Sequence, residues 1–153
     1  WFAGRGRGAR LCRAMDLNLD PRSASPRKAL EVFPHAAGVV LFGLERTLKY
    51  KHKTGRDFPQ LQTELLRLIG YIEGLRNASP PPLRVDGDDG WRELTESVRA
   101  ATRKSQLRKA EDPVDAVLCA YVALFATRRP DDVTIYGDPN TGCIVTPPTP
   151  PSN

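Results

Sequence analysis

The amino-acid sequence predicts an α/β domain that closes with a C-terminal β-hairpin. Apolar residues with helical spacing or helical composition extend from Pro59 to Arg128. Two β-rich runs then flank the turn-rich hexapeptide GDPNTG, which predicts a hairpin. A short β-type run, ALEVFP, precedes the helical part. Helical segments between β-type runs indicate a mixed fold, and 153 residues are enough for one domain with a core.

The first third of the chain is predicted to contain little helix. Residues 1–28 are rich in Arg, Gly, Ser and Pro, which predicts a poorly ordered basic arm or a remnant of upstream sequence. The run ALEVFP, residues 29–34, is predicted as a short strand that carries Glu31 among apolar residues. Residues 35–44 follow as a short apolar helix or turn. Residues 49–57, KYKHKTGRD, form a basic polar loop.

Three helices are predicted after this loop. Leucine and isoleucine recur at three- and four-residue intervals from Leu61 to Leu75, which indicates an amphipathic helix packed on a core. A second helix is predicted from Asp88 or Asp89 to about Lys109. The third is predicted over residues 113–128, apolar nearly all round and therefore buried. A Pro-rich tail, residues 148–153, is predicted to be extended.

Composition favours a soluble, cytoplasmic protein with an anionic partner. The formal net charge of +5 suits nucleic acid, although solubility alone would also explain it. The three cysteines form no CxxC pair, so we expect neither a zinc site nor a disulfide framework, and a reducing compartment. The longest apolar run, residues 116–126, is too short to cross a bilayer. We therefore expect no membrane association.

Two aspartates at the start of the third predicted helix admit two interpretations. Asp112 as the N-cap, Pro113 at the first helical position and Asp115 at the third would form a favourable helix start, worth about 1 kcal/mol. Alternatively, the aspartates share one helical face with Glu111 adjacent, and such grouped charges repel unless a cation or a basic side chain compensates them. Mg²⁺ would suit carboxylate ligands. Glu31 either faces water or points at the same site as Asp115.

Positive charges flank these carboxylates along the chain. Basic runs in a sequence most often form solvated surface. If these runs lay on both sides of the carboxylates in the fold, they would hold phosphate groups. A second basic cluster, with Arg103, Lys104 and Arg108, precedes the third helix. The residues predicted to contact nucleic acid are Lys49, Lys51, Lys53, Arg56 and Lys109.

Four motifs in order carry a resemblance to a known family. The segments LEVFPHA, LKYKHKTGR, EDPVDAVLCAYVA and GCIVTP, with a helix between the second and third, are similar to the family called domain of unknown function 429. Members of that family are predicted RNase H-like nucleases. The resemblance covers about residues 26–148. It implies an RNase H-like domain over residues 29–147, truncated at its N-terminus.

The resemblance also implies which residues carry the chemistry. Glu31 matches a later-strand glutamate, and Asp112 and Asp115 match the D-x-x-D-A of the final helix, so these three are the implied catalytic residues and the ligands of Mg²⁺ or Mn²⁺. His35 and the pair Tyr50–Lys51 match family positions that have no assigned role. The chain begins with Trp1 and offers no first-strand aspartate, so we expect it to be a C-terminal portion that lacks a complete metal site.

The leading hypothesis is therefore that the intact protein is a metal-dependent nuclease that hydrolyses phosphodiester bonds of RNA or DNA by a two-metal route. A catalytically inactive nucleic-acid-binding or scaffolding protein of the same fold is the alternative. A small-molecule phosphohydrolase is a third hypothesis.

Overall fold

The computed structural model describes residues 7–78, 81–139 and 141–148. Within those ranges five α-helices precede an antiparallel hairpin, which confirms the mixed helix and strand class. The helices are α1 (Arg7–Ala14), α2 (Pro34–Phe42), α3 (Phe58–Gly74), α4 (Asp89–Arg99) and α5 (Lys104–Arg128), and the strands are β1 (Thr134–Asp138) and β2 (Gly142–Thr146). Single 3-10 turns, Leu75–Asn77 and Pro130–Asp132, follow α3 and α5. None of the described helices combines the length and apolarity that spanning a bilayer requires.

Helix α3 is the amphipathic helix that the leucine spacing predicts. It begins after Asp57, whose carboxylate accepts a hydrogen bond from the backbone N–H of Gln60 at 2.8 Å, a cap worth about 1 kcal/mol. Its apolar face packs against α4 and α5 to form the main core. The core includes Leu61, Leu65, Leu68, Ile69 and Ile72 of α3, Trp91 and Val98 of α4, and Leu107, Val114 and Leu118 of α5. Leu48 and Tyr50, from the connection before α3, are buried in the same core and anchor the basic loop.

The second and third predicted helices are divided differently in the structure. Helix α4 ends at Arg99, and α5 begins at Lys104 instead of at Pro113. The side-chain oxygen of Gln106 accepts hydrogen bonds from the backbone N–H groups of Thr102 at 2.9 Å and Arg103 at 3.1 Å. These bonds satisfy donors that have no intrahelical partner. Because neither glycine nor proline marks this break, composition does not reveal it.

Pro113 lies inside α5, so the predicted N-cap role of Asp112 is wrong. A proline within a helix has no N–H for the carbonyl four residues earlier, here that of Lys109, and the usual cost is about 3 kcal/mol. The helix continues because apolar residues on both sides of the proline are buried against α3 and α4. The prediction of burial all round is also wrong, since Ala116 and Ala120 are exposed.

The segment before α2 differs from both predictions made for it. Little regular structure is predicted for residues 1–28, of which residues 1–6 lie outside the described ranges. Residues 7–28 contain α1 with buried Cys12, and an isolated parallel bridge joins Asn18 to Lys28. Residues 29–33 form no strand. Instead, the carbonyl of Glu31 accepts one hydrogen bond from the backbone N–H of Val145 in β2, at 2.9 Å. One bond does not make a ladder, so this segment only lies along the edge of the hairpin.

The C-terminal hairpin is confirmed. Thr134 pairs with Thr146 at one end, and Asp138 pairs with Gly142 at the other. Gly137 has φ 93°, and a Cβ at this position would clash with the carbonyl oxygen of Gly142, so the strand requires glycine there. The tip residue 140 and residues 149–153 of the predicted Pro-rich tail lie outside the described ranges.

The predicted short apolar helix is also confirmed, as α2. It ends at Gly43, whose φ of 61° is a left-handed conformation that favours glycine. Helix α2 packs on the C-terminal half of α5 and on β2. Ala37 of α2, Val122 of α5 and Val145 of β2 form a second, smaller core there. The two cores lie along the same helix, so α5 is the central element of the described fold.

Candidate functional site

Asp115 of α5 is the centre of a buried polar cluster. The residue is only 8% exposed, yet it is a carboxylate within an apolar helix. Its Oδ1 accepts a hydrogen bond from the Tyr50 hydroxyl at 2.6 Å, and its Oδ2 lies 2.6 Å from Nζ of Lys51. Both oxygens therefore have partners, as a buried carboxylate requires.

Lys51 bridges two carboxylates. Its Nζ lies 3.0 Å from Oδ1 of Asp112 as well as 2.6 Å from Asp115, one helical turn further along α5. The side chain of Asp112 is 93% exposed and that of Lys51 is 28% exposed, so the contact with Asp112 contributes little and the buried contact with Asp115 holds the ammonium group. Burial opposes the charged form of Lys51, but the hydrogen bonds to both aspartates outweigh it and raise the pKa of the ammonium group.

Contacts on both sides of Lys51 fix the basic loop to α5. The buried carboxylate of Glu111 accepts a hydrogen bond from the backbone N–H of His52 at 3.0 Å. The guanidinium of Arg56 donates to the carbonyl of Lys51 at 2.8 Å. The ammonium group of Lys104, in the first turn of α5, donates to the carbonyl of Arg56. The loop therefore packs across the first half of α5.

His35, near the start of α2, adds an aromatic side to the cluster. Its ring centroid lies 5.0 Å from that of Tyr50, and its Nδ1 is buried without a hydrogen-bond partner among the described residues. Burial lowers the pKa of His35, although the negative charge of Asp115 acts in the opposite direction. Burial and the bond to Asp115 raise the pKa of the Tyr50 hydroxyl far above its ordinary value. Tyr50 therefore acts as a hydrogen-bond donor and His35 as a neutral ring at neutral pH.

A cavity of about 710 Å³ lies between the N-terminal segment, the C-terminal half of α5 and β2. Cys12, Cys119 and Cys143 line it together with Glu31. Burial raises the pKa of the Cys119 and Cys143 thiols, and nearby carboxylates add to this effect. Partial burial also raises the pKa of Glu31. The thiols are therefore protonated and weakly nucleophilic, which fits a structural role.

Comparison with known proteins places the chain in a family. A family model described as "Protein of unknown function (DUF429)" matches residues 6–141, a range that contains the whole polar cluster. The chain belongs to this family. Neither a search of curated proteins nor a search of solved structures found a match for it. The resemblance to the DUF429 family is thus confirmed.

The three metal ligands predicted for this DUF429 chain are not brought into one cluster. Asp112 and Asp115 come together, but the ammonium group of Lys51 lies between them, and Tyr50 occupies the second oxygen of Asp115. Glu31 lines the cavity instead. Residues 7–78, 81–139 and 141–148 contain no group of three or more His, Cys, Asp or Glu side chains arranged to hold a metal ion. This arrangement does not fit Mg²⁺ or Mn²⁺, which require several oxygen ligands.

The residues predicted to contact nucleic acid lie in two environments. Lys49, Lys53 and Lys109 are exposed, whereas Lys51 and Arg56 are half-buried and engaged with the site. Lys49 is also held through its backbone N–H, which donates to the carboxylate of Glu64 at 2.9 Å.

Sequence reasoning assigned no role to Tyr50 or His35. A tyrosine next to a lysine in a polar loop is the only local sign of the contact with Asp115.

Proposed function

We propose that this DUF429 protein binds the phosphate backbone of nucleic acid through one basic face. The observation that carries the proposal is the hydrogen bond from Lys104 to the carbonyl of Arg56, because it joins two basic runs that are far apart in the sequence. We define the basic face as Lys49, Lys53 and Arg56 from the loop and Arg103, Lys104, Arg108 and Lys109 around the start of α5. Most of these side chains are exposed.

The charge pattern of α5 supports an anionic ligand at this face. Its first turn contains no acidic residue and follows directly on Arg103, although the N-terminus of a helix favours negative charge. Positive side chains there disfavour the isolated helix by some tenths of a kcal/mol. A phosphate group at the face would offset that cost, since helix N-termini and basic side chains both bind phosphate.

Phosphodiester hydrolysis by an RNase H-like domain is the second function that we propose. It is favoured by the position of the acidic pair beside the basic face, because Lys51 belongs to the loop of that face and contacts both Asp112 and Asp115. In this proposal Glu31, Asp112 and Asp115 are the catalytic acids, as the family resemblance implies. The described arrangement offers no third metal ligand, so the proposal rests on the resemblance and on this juxtaposition. The alternative is a binding or scaffolding protein of the same fold.

Binding can be tested by fluorescence anisotropy with labelled single-stranded RNA, single-stranded DNA and a hybrid duplex. We expect Arg108→Gln/Lys109→Gln to weaken binding about tenfold, because two phosphate contacts are lost. Arg128→Gln/Arg129→Gln, at the other end of α5 and about 30 Å away, removes the same number of charges and is the matched control, which should bind as the parent does. Equal losses in both variants would contradict a localised face.

Cleavage of the same substrates with Mg²⁺ or Mn²⁺ tests the second function. If the protein is a nuclease, cleavage should require the metal, and Asp115→Asn should abolish it while circular dichroism shows the fold retained. Binding without cleavage would exclude the nuclease and leave the binding protein. A panel of nucleotides, assayed for phosphate release, tests the small-molecule phosphohydrolase.

A further inference from the structure

We propose that the ammonium group of Lys51 is the resident cation of the acidic pair Asp112–Asp115 and keeps divalent metal ions out of it. The group lies 3.0 Å from Asp112 and 2.6 Å from Asp115, between two carboxylates that would otherwise be the start of a metal site. This inference concerns divalent cations alone. It does not depend on whether the protein binds nucleic acid, and it predicts that the parent protein holds no catalytic metal ion at this pair.

The charges explain why the position suits a cation. The two aspartates lie one turn apart on α5, so their charges repel unless a positive group compensates them. A divalent ion on the same oxygens would lie at contact distance from the ammonium group, and the two positive charges would repel. Lys51 and the metal therefore compete for the same place. The absence of a third metal ligand among the described residues agrees with a pair built around a lysine.

Contacts made by three consecutive loop residues, Tyr50 to His52, hold the ammonium group of Lys51 in this place. Tyr50, only 2% exposed, donates its hydroxyl to Asp115, and the backbone N–H of His52 donates to Glu111. Lys51 itself lies between them, and its carbonyl accepts a hydrogen bond from Arg56. Residues 50 to 52 thus each contact an acidic side chain on two successive turns of α5. These contacts fix the position of the ammonium group between the two aspartates.

A direct consequence is that removal of Lys51 should create a binding site for a hard divalent cation. Methionine keeps the length and apolar stem of lysine without its charge. Asp112 and Asp115 would then carry uncompensated negative charge, which Mn²⁺ with bound water can neutralise. Lys53→Met is the matched control, because Lys53 is an exposed lysine of the same loop.

The experiment titrates the full chain with Mn²⁺ alone and measures free Mn²⁺ by electron paramagnetic resonance. We expect Lys51→Met to bind one Mn²⁺ about tenfold or more tightly than the parent protein. Lys53→Met should match the parent, and the double variant Lys51→Met/Asp115→Asn should lose the gain. Equal affinity of the parent and Lys51→Met would overturn the proposal. An equal gain in Lys53→Met would also overturn it, since the effect would then be one of general charge.

Loss of Lys51 leaves a buried carboxylate without its counter-charge, so the folding of Lys51→Met is monitored by circular dichroism. If the variant is unfolded, metal binding to the folded state should restore the fold, because a ligand stabilises the state that binds it. Recovery of the helical signal with Mn²⁺, absent in Lys51→Met/Asp115→Asn, supports the proposal. Failure of Mn²⁺ to restore the signal contradicts it.

Discussion

Asp115 shows how one buried charge organises the residues around it. Its two oxygens are satisfied by Tyr50 and Lys51, which lie about half the chain away in sequence; Tyr50 and Asp115 are 65 residues apart. The free energy of such a pair is close to balanced while it is complete, because desolvation offsets the Coulomb attraction. The cost appears when one partner is removed and the other stays buried. The cluster is therefore most sensitive to the loss of a single partner.

Tyr50→Phe tests this sensitivity. The substitution keeps the ring in the core but removes the only hydroxyl bonded to Oδ1 of Asp115 among the described residues. We expect the free energy of unfolding to fall by about 1–3 kcal/mol, the usual cost of an unsatisfied buried acceptor. Urea unfolding followed by circular dichroism measures it.

The matched control for that substitution is Tyr71→Phe. Tyr71 lies in α3 with its ring stacked on Phe42, and its hydroxyl contacts only exposed Arg67 among the described residues. Removal of this hydroxyl should change the free energy of unfolding by no more than about 0.5 kcal/mol. Similar decreases in the free energy of unfolding of the two variants would show that the bond from Tyr50 to Asp115 contributes no more to stability than an exposed hydrogen bond.

His35 makes stability depend on pH. Because burial lowers its pKa in the folded state, the unfolded chain binds the proton more tightly. Stability is therefore complete above the unfolded pKa of about 6.5 and falls as the pH drops toward the lower folded value. We expect the free energy of unfolding to decline as the pH falls below about 6.5, and His35→Asn to reduce that decline.

Chemical denaturation across this pH range measures the effect. His52→Asn, which removes the exposed histidine of the basic loop, controls for the loss of a histidine side chain. If His35→Asn kept the pH dependence of the parent, the protonation of His35 would not be linked to folding.

The sequence predicts the acidic pair but not its partner. Asp112 and Asp115 are visibly grouped on one helical face, and a compensating cation or basic side chain is a sound expectation from their charges alone. Whether a metal ion or a basic side chain compensates the aspartates depends on where the basic loop packs, and burial of Leu48 and Tyr50 in the core sets that position. No local sequence pattern encodes a contact between residues so far apart in the chain. The structure shows that the compensating group is Lys51.

Helix α5 shows that burial can override a strong local signal. Pro113 lacks the N–H that would bond to Lys109, and the residue is exposed, so it adds no buried contact in return. Pro113→Ala should restore the hydrogen bond, with a gain that is partly offset by the greater freedom of the unfolded chain. We expect the free energy of unfolding to rise by about 1–2 kcal/mol, measured by thermal and urea unfolding.

Pro59→Ala is the control for the proline substitution. Pro59 is an exposed proline in the first turn of α3, where the missing N–H would have no intrahelical partner anyway. No gain is expected, and a loss of some tenths of a kcal/mol would follow from the more flexible unfolded chain. A gain at Pro59 equal to that at Pro113 would mean that the position within the helix is irrelevant.

Elements are predictable where periodicity and turn residues agree. Helix α3 combines regular leucine spacing with an aspartate cap, and the hairpin has glycine and proline at its turn, so both are predicted correctly. The break between α4 and α5 has neither glycine nor proline and depends on Gln106 bonding back to Thr102 and Arg103. The predicted strand at residues 29–34 fails because only one hydrogen bond joins it to β2. Strands depend on partners that the local sequence does not specify.

Charge acts at the scale of the whole molecule. A formal net charge of +5 is modest, and spread evenly it would only keep the protein soluble. The fold instead brings the basic loop against the start of α5, where Lys104 donates to the carbonyl of Arg56 and two distant basic parts of the chain meet. The family match over residues 6–141 includes both parts. A local concentration of charge has a signature in solution that a uniform charge lacks.

That signature is the salt dependence of nucleic-acid binding. Each phosphate neutralised on a single strand releases counterions, and the logarithm of the binding constant falls against the logarithm of salt with a slope of about −0.7 per contact. If the basic face makes about four phosphate contacts, we expect a slope near −3 for single-stranded RNA or DNA. Arg108→Gln/Lys109→Gln should make the slope shallower by about 1.4, whereas Arg128→Gln/Arg129→Gln should not change it. A flat response in the parent protein would assign the basic residues to solubility alone.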